Sequence, residues 1–117
     1  MNRKRFNHII DHRVEKSIGV FKSKNDEYAS EEEVFANFKQ GVGISYNNTP
    51  EKYAWELLSK HLQSIKDVLT SLEKGKLPSK DLIDEKMNDA HNYLYLIEGM
   101  ITEKVEDNDT QKTGNST

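Results

Sequence analysis

Residues 81–94 read Asp81-Leu82-Ile83-Asp84-Glu85-Lys86-Met87-Asn88-Asp89-Ala90-His91-Asn92-Tyr93-Leu94. Two rows interleave here. Ile83, Met87, Ala90 and Leu94 recur at three- and four-residue steps, the spacing that gathers side chains on one face of an α-helix. Asp81, Glu85, Asp89 and Asn92 recur at similar steps and mark an acidic row beside it. The apolar period extends to about Lys104 through Ile97, Met100 and Ile101. Pro78 precedes the segment, and Ser79 is its expected cap.

Working outward, three more segments carry the helical period. Thr49-Pro50 is an N-cap followed by proline at the first helical position. Tyr53, Ala54, Leu57, Leu58, His61, Leu62, Ile65, Val68, Leu69 and Leu72 continue from it to a stop near Lys74-Gly75. A segment from about Lys4 to Ser23 shows Phe6, Ile9, Ile10, Val14, Ile18 and Phe21 as its apolar stripe, and Lys22–Tyr28 reads as a polar loop after it. Between these, Ser30-Glu31-Glu32-Glu33 has the form of a capping box, in which Glu33 caps back toward Ser30. It opens a helix whose core face is Val34, Phe35, Phe38 and Val42. No segment alternates with period two. The expected fold is all-α, a four-helix bundle over residues 1–105, followed by a disordered polar tail over 106–117. The apolar stripes of the third and fourth helices are long for a lone bundle. Completion by oligomerisation is expected, most simply as a two-fold dimer burying Leu62, Leu69 or Leu94.

Composition narrows the functional classes. The chain has 117 residues, enough for one core, with 34% hydrophobic and 32% charged residues. The net charge is −3, with Arg3-Lys4-Arg5 the one basic cluster, so no partner role in binding duplex nucleic acid is expected. Cysteine is absent, which removes disulfides, thiol nucleophiles and Cys-ligated zinc. No apolar run approaches the roughly 20 residues that span a bilayer, and the N-terminus lacks the apolar core of a signal peptide. No membrane partner and a cytoplasmic location are expected, the host cytoplasm if the protein is viral. Glycine-rich phosphate loops, nucleophile elbows and zinc-protease motifs are missing.

Several residues remain that could carry chemistry. Glu85 and Asp89, at i and i+4, can hold one Mg²⁺ with Asn92 or water completing the shell. The same acids also suit a solvated helix face. His61 lies on an apolar stripe, as a core histidine or a ligand-facing one, and Lys60 beside it could reach a phosphate. Lys24, Asn25 and Tyr28 form a polar stretch with one aromatic, able to hold a base or ribose or to serve as a connector. Asn37, beside Phe38, could read a nucleobase or simply face solvent. His8 and His12, one turn apart, lack a third ligand.

The order of these pieces resembles small phage-encoded proteins related to the MazG-like all-α nucleotide pyrophosphatase superfamily. The resemblance spans roughly Phe6 to Ile101. It rests on Lys24-Asn25-Asp26-Glu27-Tyr28, Val34-Phe35-Ala36-Asn37-Phe38, Lys60-His61 and the run Asp84-Glu85 through Asp89 to Tyr93-Leu94. It implies a bundle that assembles into a homodimer or homotetramer. It also implies a nucleotide as ligand, Mg²⁺ (or Mn²⁺) as cofactor, and cleavage of a nucleoside triphosphate between its α- and β-phosphates. By the resemblance Glu85 and Asp89 are catalytic metal ligands, and Lys24, Asn25 and Tyr28 stand near the nucleotide. The chain departs from the superfamily pattern in two places. The preceding core helix offers Glu56 and then Lys60-His61 in place of a second carboxylate, and the last motif is E-x-x-x-D rather than E-x-x-D. A bundle that sequesters a nucleotide without cleaving it, or that binds a host protein, is the alternative those departures leave.

Overall fold

The computed structural model describes residues 1–28, 33–43 and 48–115, with the side chains of 24–28 and 112–115 left aside. Its described residues form an all-α four-helix bundle: α1 (Arg3–Tyr28), α2 (Ala36–Gly41), α3 (Pro50–Glu73) and α4 (Lys80–Asn115).

Local chemistry sets the helix ends. Thr49 is extended, and its hydroxyl accepts from the Lys52 N–H at 3.2 Å while Pro50 starts α3. At the other end Gly75 adopts φ +81°. There the Gly75 N–H donates to the Leu72 carbonyl and the Lys76 N–H to that of Ser71, the paired bonds of a Schellman stop. Ser79 Oγ accepts from the Leu82 N–H at 3.1 Å and opens α4. Asn2 does the same for α1 through the Arg5 N–H.

α4 is the shared element of the fold. α1 packs along one side of it and α3 along another, while α2 lies on α3. Contacts rise together along α1 and α4, from Arg13–Asp84 through Ser17–Asn88 to Phe21–Tyr95, so these two helices run parallel. Along α3 they fall as α4 rises, from Glu51–Lys104 to His61–Asp89, so α3 is antiparallel. The core is small. Phe35, Ala54 and Met100 are buried together, with Phe38, Leu96 and Ile97 packed against them. Glycine lets the pieces approach: a Cβ on Gly41 would lie 2.1 Å from the Tyr53 ring, so α2 can rest on α3 only without a side chain there.

Four expectations change. The stretch Lys22–Tyr28 is not a loop; α1 continues through it, because Val20 to Gln40 contain neither glycine nor proline and polarity alone does not end a helix. The helix expected from Ser30 is the short α2, starting at Ala36. Ser30 lies outside the described residues, and Glu33 binds forward: its Oε1 accepts from the Phe35 N–H and its Oε2 pairs with Lys39. α4 does not stop near Lys104 but reaches Asn115, with residues 101–111 exposed, so this extension adds nothing to the core. Finally, the apolar stripe of α1 meets the bundle at Phe21, which packs against Tyr95, and not along its length from Phe6 to Ile18. Phe6, Ile9, Ile10, Val14 and Ile18 are exposed, and the residue α1 fully buries is Ser17. No helix among the described residues is long and apolar enough to cross a membrane.

Candidate functional site

The polar and aromatic side chains of α4 divide in space. Asn88, Asp84 and Tyr95 turn toward α1; Asp89 and Tyr93 turn toward α3; Asn92 lies between. Asp89 is partly buried, with Oδ2 3.6 Å from His61 Nδ1, within reach of an ion pair when the imidazole is protonated. The His61 ring stacks on Tyr93 at 5.0 Å between centroids and 27° between planes. Tyr93 in turn meets Phe38 of α2 edge-on, and Phe38 meets Tyr53 in the same way. Burial pushes the Tyr93 phenol above its ordinary pKa, and the Asp89 charge and Tyr53 push in the same direction.

Asn92 is the anomaly in this cluster. The residue is 8% exposed and its Oδ1 has no hydrogen-bond partner among the described residues. A buried acceptor left unmatched costs on the order of 1–3 kcal/mol, so few are kept without a use. Glu85, one turn before Asp89, is exposed. The three side chains offer hard oxygen donors. Among the described residues no group of three His, Cys, Asp or Glu could hold a metal by itself. Mg²⁺ does not require such a cage, since it keeps several waters and takes one or two carboxylates together with substrate phosphates. Glu85, Asp89 and Asn92 offer the kind of oxygen ligand that Mg²⁺ (or Mn²⁺) takes alongside a phosphate.

The other sequence-derived candidates lie on three different helices. Lys60 is exposed beside His61, and Asn37 is exposed on α2, one residue before Phe38. Lys24, Asn25 and Tyr28 belong to the last turns of α1, and their side chains are outside what is described.

A second polar cluster joins α1 to α4, and sequence reasoning missed it. Asn88 Oδ1 accepts from Arg13 Nη1 at 2.8 Å and from Ser17 Oγ at 3.0 Å. Arg13 Nη2 also binds Asp84 Oδ1, which His12 Nε2 approaches to 3.2 Å. The Arg13 guanidinium, helped by His12, holds the Asp84 carboxyl below its ordinary range against the opposing effect of burial. The available signal was the matched i, i+4 spacing of Arg13/Ser17 and Asp84/Asn88, which places two polar ladders on parallel helices.

No protein-family model, curated protein or solved structure matches the chain.

Proposed function

We propose that the chain binds a nucleotide in a Mg²⁺-dependent manner beside the His61–Tyr93 pair. One observation carries the reading: a buried Asn92 Oδ1, with no hydrogen-bond partner among the described residues, within one turn of Asp89 on the same helix. Glu85 and Asp89 hold the metal with Asn92 or water. Mg²⁺ supplies neutralisation of phosphate charge when bound. Lys60 and His61 approach the phosphates, and the stacked rings with Asn37 contribute to holding the base. A nucleoside or deoxynucleoside triphosphate suits this set, because its phosphates supply the ligands the protein does not. Cleavage between the α- and β-phosphates would release a monophosphate and pyrophosphate.

The test is equilibrium binding of ordinary and modified nucleoside triphosphates with Mg²⁺, Mn²⁺ or a chelator, with pyrophosphate release followed in parallel. Binding that needs the metal and is lost in Asp89→Ala supports the reading, and product formation adds hydrolysis to it. Binding without product makes the chain a sequestering protein. No binding of any nucleotide, or binding unchanged in Asp89→Ala, overturns the assignment.

A further inference from the structure

The topology brings two basic stretches, distant in sequence, to one end of the molecule. α1 runs parallel to α4, and His12 and Arg13 meet Asp84. At 1.5 Å per residue Arg3 lies about 15 Å before that level, and Lys80, where α4 starts, about 6 Å before it. The first turns of α1 therefore overhang α4 by roughly 9 Å. α3 returns antiparallel and stops at Glu73, so the turn 74–79 closes the same end. Residues 3–10 and 73–81 carry six cations there, Arg3, Lys4, Arg5, Lys74, Lys76 and Lys80, against two acids, Glu73 and Asp81. All six cations are exposed, and none forms an ion pair with a described residue. The opposite end is acidic. There α4 carries Glu98, Glu103, Glu106, Asp107 and Asp109 against Lys104 and Lys112. One helix thus joins a positive end to a negative one.

The basic end is also apolar. Leu77 directly follows Lys76 and is 85% exposed, more than any other large hydrophobic residue described. Phe6, Ile9 and Ile10 on the overhang are about half exposed. At 100° per residue these three share an arc of about 100°, with Arg3 just beyond Ile10 and Arg5 just beyond Ile9. No acid precedes Asp11.

We propose that this end docks on the surface of an anionic lipid bilayer. Leu77, Phe6, Ile9 and Ile10 enter the boundary between headgroups and acyl chains, while the cations engage the anionic headgroups. The proposal does not depend on nucleotide binding. Charge selects the occupant. A cluster of this size beside exposed apolar side chains is what an anionic leaflet attracts, each cation strengthening binding about fivefold. The same surface repels the acidic end, so the field stands the molecule on its basic one. Duplex nucleic acid would use the cations but leave Leu77 and the apolar arc in water. The expectation of no membrane partner rested on the absence of a span, and lying on a bilayer needs none.

Cosedimentation of the full chain with vesicles tests the surface, using equal parts phosphatidylserine and phosphatidylcholine, and phosphatidylcholine alone. Binding is expected to the first only, and is expected to weaken as salt screens the attraction. Lys76→Gln and Arg5→Gln should each reduce it about fivefold and Leu77→Ser about tenfold, while Lys52→Gln, at the other end, leaves it unchanged. All four positions are exposed, so helicity by circular dichroism should not change. Insertion has its own signal. The one tryptophan, Trp55, lies toward the acidic end, because its neighbour Glu51 pairs with Lys104. Its emission should not respond to vesicles, whereas Leu77→Trp in a Trp55→Phe background should shift to the blue. No binding to the phosphatidylserine vesicles, equal binding to both lipids, or Leu77→Ser binding like the wild type would each overturn the proposal. Equal affinity for heparin, independent of Leu77, would overturn it too and assign the end to a soluble polyanion.

Discussion

Arg13 on α1 donates to Asn88 on α4 at 2.8 Å, and the same oxygen takes the Ser17 hydroxyl at 3.0 Å. One amide thus satisfies two donors of the neighbouring helix, in a contact where apolar burial is slight. α1 is held to the bundle mainly by this polar clasp and by the edge-on packing of Phe21 on Tyr95 at 5.2 Å. Removing the acceptor strands both donors, each at a cost of about 1–3 kcal/mol. Ser17→Ala removes one donor and leaves Asn88 with Arg13, so its expected cost is at most about 1.5 kcal/mol. Urea unfolding of the two variants, Asn88→Ala and Ser17→Ala, checks the order.

The Arg13–Asp84 ion pair beside this clasp should fail in acid. Arg13 and His12 hold the Asp84 carboxyl below its ordinary value. A carboxylate depressed on folding contributes stability that is fully present above its unfolded pKa of about 3.9 and is lost as pH falls through the folded value. Asp84→Asn should therefore be less stable than the wild type near neutrality. The gap between them should close below about pH 4. Urea midpoints of both proteins over the acid range test this, and a gap independent of pH would count against the ion pair.

Two glycines should respond with opposite signs. Gly41 lies under the Tyr53 ring, where an added methyl has no room. Gly41→Ala is expected to lift α2 from α3 and to cost about 1–3 kcal/mol, the usual penalty of overpacking. Gly19, within α1, has nothing within 4 Å of an added Cβ. Gly19→Ala should gain about 0.5–1 kcal/mol from helix propensity alone. Thermal melts followed by circular dichroism distinguish the two directions.

What the sequence made legible was local. Thr49-Pro50, Ser79 and Gly75 end helices through bonds made within a few residues, so their chemistry can be read without the fold. The helical course of residues 22–28 and 106–115 was hidden by polarity, which signals exposure and not the absence of a helix. The face of α1 was hidden for a deeper reason. Apolar periodicity says that a stripe seeks burial but does not say against which molecule, and in the single chain the stripe of α1 stays exposed from Phe6 to Ile18 while Arg13 and Ser17 face α4. In the candidate site, the acidic row gave Asp89 a position beside Asn92, but the ring stack of His61 on Tyr93 depends on the register of α3 against α4, which no local pattern encodes.

Asn88 and Asn92 make the sharpest comparison in the molecule. They lie one turn apart on α4 and are equally buried, at 7% and 8% exposure. The Oδ1 of Asn88 takes two donors, whereas that of Asn92 has none among the described residues. Truncation should therefore separate them. Asn88→Ala loses bonds and strands donors. Asn92→Ala loses a desolvated acceptor that returned nothing to stability, and alanine propagates the helix better. The small cavity offsets part of that gain, so Asn92→Ala should lie within about 1 kcal/mol of the wild type or above it, with Asn88→Ala well below. If Asn92 is kept for a ligand, the same variant should bind Mg²⁺-nucleotide about tenfold more weakly while remaining as stable as its parent. A large loss of stability in Asn92→Ala would instead mean that its oxygen has a structural partner in the folded protein, and would remove the observation on which the nucleotide site rests.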